Sequence, residues 1–74
     1  MRIEGIKKVL FAKFGENRVG IVIPAGDKWV VSIDGEDQPI IIDGDVIRGL
    51  NENDEQDARF LSLARKNYEK GNFY

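Results

Sequence analysis

The stretch RVGIVIPAGDKWVVSIDG, residues 18–35, determines the fold class of this 74-residue chain. Large apolar residues recur there at every second position, in two sets: Val19, Ile21 and Ile23, then Trp29, Val31 and Ile33. A period of two is typical of β-strands that bury one face. Pro24 to Asp27 separates the two sets and has the composition of a turn. The stretch therefore predicts two adjacent strands joined tightly.

Outward from this stretch, the sequence predicts three further strands, at Ile6–Phe14, Ile40–Ile42 and Val46–Leu50. The first alternates imperfectly, because Lys8 falls on its otherwise apolar face. Asp43-Gly44 favours a type I′ turn between the last two strands. Ile40–Ile42 is short and β-branched, so we expect a sheet edge there through which two copies can self-associate.

The end of the chain changes to a helical period. At about 100° per residue, one broad face collects five apolar or aromatic residues: Phe60, Leu61, Leu63, Ala64 and Tyr68. The pattern predicts an amphipathic helix over residues 53–70. Asn53 is the expected N-cap, with Asn51 as the competing cap, and Gly71 is the expected residue after the C-cap.

These elements predict a β-rich α+β fold in a single domain, residues 1–74. Residues 1–50 form a meander of about five short strands, and the C-terminal helix follows. Two architectures fit the pattern: a small bent antiparallel sheet with the helix across one face, or an SH3-like, partly open barrel.

The composition argues against catalysis. The chain contains no Cys, no His and no Thr. Ser32 and Ser62 therefore lack the usual base that activates a hydroxyl nucleophile. The Asp-Gly pairs do not match the spacing of a calcium loop, and no glycine-rich phosphate loop is present. We expect a protein that is not an enzyme and that binds no metal and no cofactor.

The apolar runs are far shorter than the roughly 18 residues of a membrane span. The first residues contain a base but lack the apolar core of a secretory signal. We therefore expect a cytoplasmic protein that does not enter a membrane.

Charges are sorted along the chain. Residues 34–57 contain nine acidic residues and one basic residue, whereas the flanking segments are each net basic. Four of these acids have an expected structural role at the start of the helix. The other five are the predicted binding residues for a protein partner, which is itself expected to be basic: Asp34, Glu36, Asp37, Asp43 and Asp45.

An alternative prediction is nucleic-acid binding. Basic residues beside an aromatic side chain on the predicted first strand resemble a stacking platform, and the helix carries a basic stripe. The candidate residues are Lys7, Lys8, Phe11, Lys13 and Arg18 near the start of the chain, and Arg59, Lys66 and Lys70 on the helix. The net charge of −2 disfavours this alternative.

Overall fold

The computed structural model describes residues 2–74 as a three-layer α+β domain. The elements in chain order are helix α1 (Ile3–Phe14), a 3-10 turn (Glu16–Arg18), strands β1 (Val19–Ala25), β2 (Lys28–Ile33), β3 (Ile40–Asp43) and β4 (Val46–Gly49), and helix α2 (Glu55–Glu69). The strands form one antiparallel sheet in the order β1-β2-β3-β4. The predicted α+β class is confirmed.

The sheet lies between the two helices and has a core on each face. On the α1 face, Ile6 and Leu10 pack with Val22, Val31, Ile33, Ile40 and Ile42. On the α2 face, Ala64 packs with Ala25, Val30 and Leu50. Burying each large aliphatic side chain contributes about 1.5–3 kcal/mol. Val30 and Val31 are adjacent in sequence yet belong to different cores, because successive strand residues point to opposite faces.

The predicted first strand, Ile6–Phe14, is wrong, since this segment lies within helix α1. Its buried and half-buried apolar residues, Ile3, Ile6, Leu10 and Phe14, are spaced three or four apart and form one helical stripe. Lys8, which broke the strand pattern, lies on the exposed side of the helix. A helix therefore accounts for Lys8, which a strand would have placed on its apolar face.

The barrel and the five-strand meander are also wrong, because four strands form an open sheet. Helices α1 and α2 already cover the two faces, so the apolar surface is buried without closure of the sheet. The expected edge at Ile40–Ile42 is wrong as well. This segment pairs with β2 on one side and with β4 on the other.

The two hairpin turns also differ from prediction. β1 continues through Pro24, which is opposite Trp29, to Ala25. The β3–β4 turn is centred on Gly44, at φ 60°, and Asp45. Among residues 2–74 only glycines have positive φ, so this turn is type II′ rather than the expected type I′.

Helix α2 confirms the predicted C-terminal helix to within two residues at its start and one at its end. Its N-cap is Asp54 rather than Asn53, and the Asp54 carboxylate accepts hydrogen bonds from the Gln56 and Asp57 amides at 2.9 and 3.1 Å. Gly71 follows the C-cap with φ 80°, as predicted.

Candidate functional site

The outer edge of β1 is occupied by the end of the chain. The Val22 amide donates to the Tyr74 carbonyl at 2.9 Å, and the Tyr74 amide donates to the Val22 carbonyl at 2.9 Å. Asn67 of α2 donates its side-chain amide to the outward Pro24 carbonyl at 2.7 Å, and Pro24 has no amide hydrogen. This edge therefore offers little backbone to another strand.

No backbone group of residues 2–74 pairs with the outer edge of β4, where Arg48 Nη1 donates to the Gly49 carbonyl at 3.4 Å. The two-residue turn makes Asp43 and Val46 a hydrogen-bonded pair, and alternation along an antiparallel ladder then directs the Arg48 backbone toward β3. The Ile47 and Gly49 backbones consequently point away from the sheet. The same alternation directs Val22 outward on β1, where its partner is Tyr74.

A small apolar cavity lies between α1 and β4. This helix cavity has a volume of about 210 Å³ and is lined by Ile6, Val9, Ile42, Gly44, Asp45 and Ile47. Val9 keeps 44% of its surface exposed on the α1 side. Among the residues that the structure describes, Asp45 is the only charged one in this lining.

A second, more polar cavity continues the groove toward the other end of β4. This loop cavity has a volume of about 410 Å³ and is lined by Lys13, Phe14, Glu36, Asp37, Gln38, Ile40, Ile47, Arg48 and Gly49. Ile47 lines both cavities. The open edge and the groove thus form one continuous surface along β4.

An ion pair ties β4 to helix α2. The Arg48 Nη1 and Nη2 donate to the two Asp57 carboxylate oxygens at 2.7 and 2.8 Å, and the Asn51 amide donates to Asp57 at 2.9 Å. The Arg48 hydrogen bonds, helped by the Asn51 amide and opposed by burial, lower the pKa of Asp57 from 3.8 to about 2. The same carboxylate raises the pKa of Arg48. This two-pronged contact holds the edge strand in place.

The five acids predicted to bind a partner do not gather at one end of the sheet. Asp34, Glu36 and Asp37 follow β2, whereas Asp43 ends β3 and Asp45 lies in the β3–β4 turn, at the opposite end of the sheet. The four residues of β3 separate the two groups by roughly 10 Å.

Bases neutralise part of each acidic group. Arg18 lies 3.5 Å from Glu36. Lys28 lies 3.8 Å from Asp43 and 4.3 Å from the centre of the Phe60 ring. Asp37 and Asp45 make no ion pair within residues 2–74, and both lie along the groove of β4. Asp37 lines the loop cavity and Asp45 lines the helix cavity.

The predicted nucleic-acid-binding residues are divided between the two helices. Lys7, Lys8, Phe11 and Lys13 lie on α1 and Arg18 in the 3-10 turn, whereas Arg59 and Lys66 lie on α2 and Lys70 caps it. Because α1 and α2 pack on opposite faces of the sheet, the structure does not bring the two basic groups together.

Sequence reasoning missed the central residues of the groove, Val9, Ile47 and Gly49. The signal that identifies Val9 is the helical spacing of its buried neighbours Ile6 and Leu10, which places Val9 on one flank of the apolar stripe. No comparable signal exists for Gly49, because the edge position of β4 depends on strand order.

Two absences concern the described part of the chain, residues 2–74. No group of three or more acidic residues there is arranged to hold a metal ion. None of the helices formed by these residues is long and apolar enough to cross a membrane.

Comparisons of the chain with protein-family models, with curated proteins and with solved structures found no significant match.

Proposed function

We propose that this chain is a small noncatalytic interaction module that binds a protein partner by adding an extended segment of that partner to β4. Edge strands recognise peptides in this way, with backbone hydrogen bonds providing affinity and adjacent cavities selecting side chains. The observation that carries the proposal is the difference between the two edges of one sheet. Tyr74 and Asn67 cover the β1 edge. On β4, within residues 2–74, the Ile47 backbone and the Gly49 amide stay open, and the Gly49 carbonyl accepts only a long hydrogen bond, 3.4 Å, from Arg48 Nη1.

The groove distinguishes β4 from an ordinary short edge strand. Many open sheets have a short uncovered edge, and such an edge by itself indicates no partner. Here the helix cavity lies on the α1 side of the edge, where alternate side chains of an added strand project. At about 210 Å³ it is smaller than the roughly 300–1,000 Å³ typical of small-molecule sites, and it suits one side chain.

The two acids of the groove that have no ion pair within residues 2–74 support a basic partner. Asp45 and Asp37 lie toward opposite ends of the groove, and neither makes an ion pair within residues 2–74. Charges at the rim of an interface guide association and help to choose the partner. Two of the five acids predicted from the sequence thus lie toward the two ends of the proposed binding strand.

A substitution at Gly49 tests the proposal. Gly49→Pro removes an outward amide without removing a bond to β3, and Gly49→Ala is the matched control that keeps the amide. A phage library of random ten-residue peptides, selected against the chain, is expected to yield peptides whose affinity falls several-fold with Gly49→Pro and is unchanged with Gly49→Ala. Selected peptides that bind both variants equally, or a library that yields no binders, would refute the proposal.

A further inference from the structure

We infer that the segment bound at β4 runs antiparallel to it and carries a large apolar residue followed, two positions later, by Lys or Arg. This inference rests on the proposed function and specifies the chemistry of its partner. The occupant is a segment of a different protein, and its two recognised side chains both lie on the α1 side of the sheet.

The alternation along β4 sets the position of the apolar residue. A partner residue opposite Ile47 exchanges backbone hydrogen bonds with it and projects its side chain to the same face of the sheet. Ile47 packs against the α1-face core and lines the helix cavity together with Ile6, Val9 and Ile42. An aliphatic side chain at this position therefore covers apolar surface that is otherwise in contact with water.

Asp45 sets the position of the base. In an antiparallel segment, the residue two positions after the apolar one lies beside the turn residue Asp45. Asp45 and Ile47 line the same cavity, so both recognised positions lie on the α1 side. Asp45 is exposed, lines the helix cavity, and makes no ion pair among residues 2–74. An opposite charge beside this exposed turn carboxylate changes the affinity only a few-fold, so the contact mainly selects the partner.

Charge complementarity argues against a second copy as the occupant. Two β4 strands paired about Ile47 place Gly49 of one copy beside Asp45 of the other, so no base meets that carboxylate. The same pairing brings Asp45 to the loop cavity, where Glu36 and Asp37 oppose it. Of the two bases lining that cavity, Arg48 is paired with Asp57, and Lys13 alone makes no ion pair within residues 2–74. A different chain with a base at this position avoids both problems.

Synthetic ten-residue peptides in a common threonine- and serine-rich background test the pattern by fluorescence anisotropy. We expect isoleucine-x-lysine to bind at least three times more tightly than isoleucine-x-glutamate, serine-x-lysine or the reversed order lysine-x-isoleucine. Asp45→Lys is expected to reverse the preference between the lysine and glutamate peptides. Asp43→Asn is the control, because Asp43 lies in the same hairpin but follows Ile42 onto the opposite face.

Two outcomes overturn the inference and leave the proposed function standing. The first is a failure of the sequence pattern. Either the library-selected peptides that are sensitive to Gly49→Pro lack an apolar residue followed two positions later by Lys or Arg, or the synthetic peptides bind equally well whatever their charge and residue order. The other is a dimer in sedimentation velocity that Gly49→Pro disrupts, which would identify a second copy as the partner. If no peptide is sensitive to Gly49→Pro and the chain is monomeric, the proposed function itself fails.

Discussion

Arg48 of the sheet and Asp57 of helix α2 form a two-pronged ion pair, with two hydrogen bonds of 2.7 and 2.8 Å. Asp57 is only 1% exposed. Both of its carboxylate oxygens accept hydrogen bonds, from Arg48 and from the Asn51 amide, so neither is buried without a partner. The contact fixes the strand that we propose as the binding edge.

The pair makes stability depend on pH. The pKa of Asp57 is lower in the folded chain, at about 2, than its ordinary value of 3.8. Its contribution is therefore present above about pH 4 and is lost as the pH falls from 4 to 2. Because Arg48 is partly solvated, we expect roughly 1–2 kcal/mol from the pair.

Urea unfolding at pH 7, 4 and 2 measures this contribution. Asp57→Asn is expected to reduce stability at pH 7 and to flatten the change between pH 4 and pH 2. Glu55→Gln, on the exposed side of the same first turn, is the control and should preserve the wild-type profile. An Asp57→Asn profile as steep as that of the wild type would contradict the assignment.

Substitutions in residues 6–14 distinguish helix α1 from the strand that the sequence predicts there. Ala12 belongs to the apolar face of that strand but is exposed on the helix. Ala12→Glu should therefore change the free energy of unfolding by less than about 0.5 kcal/mol. Leu10→Ala, which empties a fully buried position, should cost about 2–5 kcal/mol. A strongly destabilising Ala12→Glu would mean that the segment does not pack as this helix.

Gly20 is confined by the neighbouring strand. A Cβ at Gly20 collides with the Ser32 hydroxyl oxygen, which accepts a hydrogen bond from the Ile21 amide at 3.0 Å. We expect Gly20→Ala to cost about 1–3 kcal/mol in thermal unfolding. Gly49→Ala has open space around it and should be close to neutral. Equal stabilities for the two variants would contradict the close approach at Gly20.

The covering of the β1 edge can be removed experimentally. Deleting Phe73 and Tyr74 removes the two backbone hydrogen bonds to Val22 and the contact between the Tyr74 and Trp29 rings, whose centroids lie 6.2 Å apart. We expect a loss of about 1–3 kcal/mol and faster amide exchange at Val22. The double substitution of Phe73 and Tyr74 by Ala keeps the backbone bonds and should leave Val22 protected.

Local patterns in the sequence predicted much of the sheet and helix α2. The period-two set Trp29, Val31 and Ile33 and the helical face around Ala64 both appear in the structure, because each is set by burial against one surface. The set Val19, Ile21 and Ile23 is wrong, because a register shift between Val19 and Val22 leaves Val19 on the α1 face and Ile23 on the α2 face. The sequence does not clearly indicate α1. Over residues 6–14 the apolar positions also fit an imperfect strand, and only the inclusion of Ile3 favours a helix.

The site was less predictable than the fold. The sequence identified Asp37 and Asp45 as acids of interest, but their relation to one groove depends on the strand order. The edge position of β4 depends on long-range packing, since Ile40–Ile42 is the more apolar segment and still lies inside the sheet. Residues such as Gly49, whose role lies in the backbone, leave no pattern that a sequence can reveal.

Amide hydrogen exchange of the monomeric chain, followed by NMR, measures whether the outer edge of β4 is open. We expect slow exchange at Val46 and Arg48, which bond to β3, and at Val22, which Tyr74 covers. We expect fast exchange at Ile47 and Gly49, which then becomes slow when a strand-forming peptide binds. Protection of Ile47 equal to that of Val22 in the unbound monomer would contradict an open β4 edge.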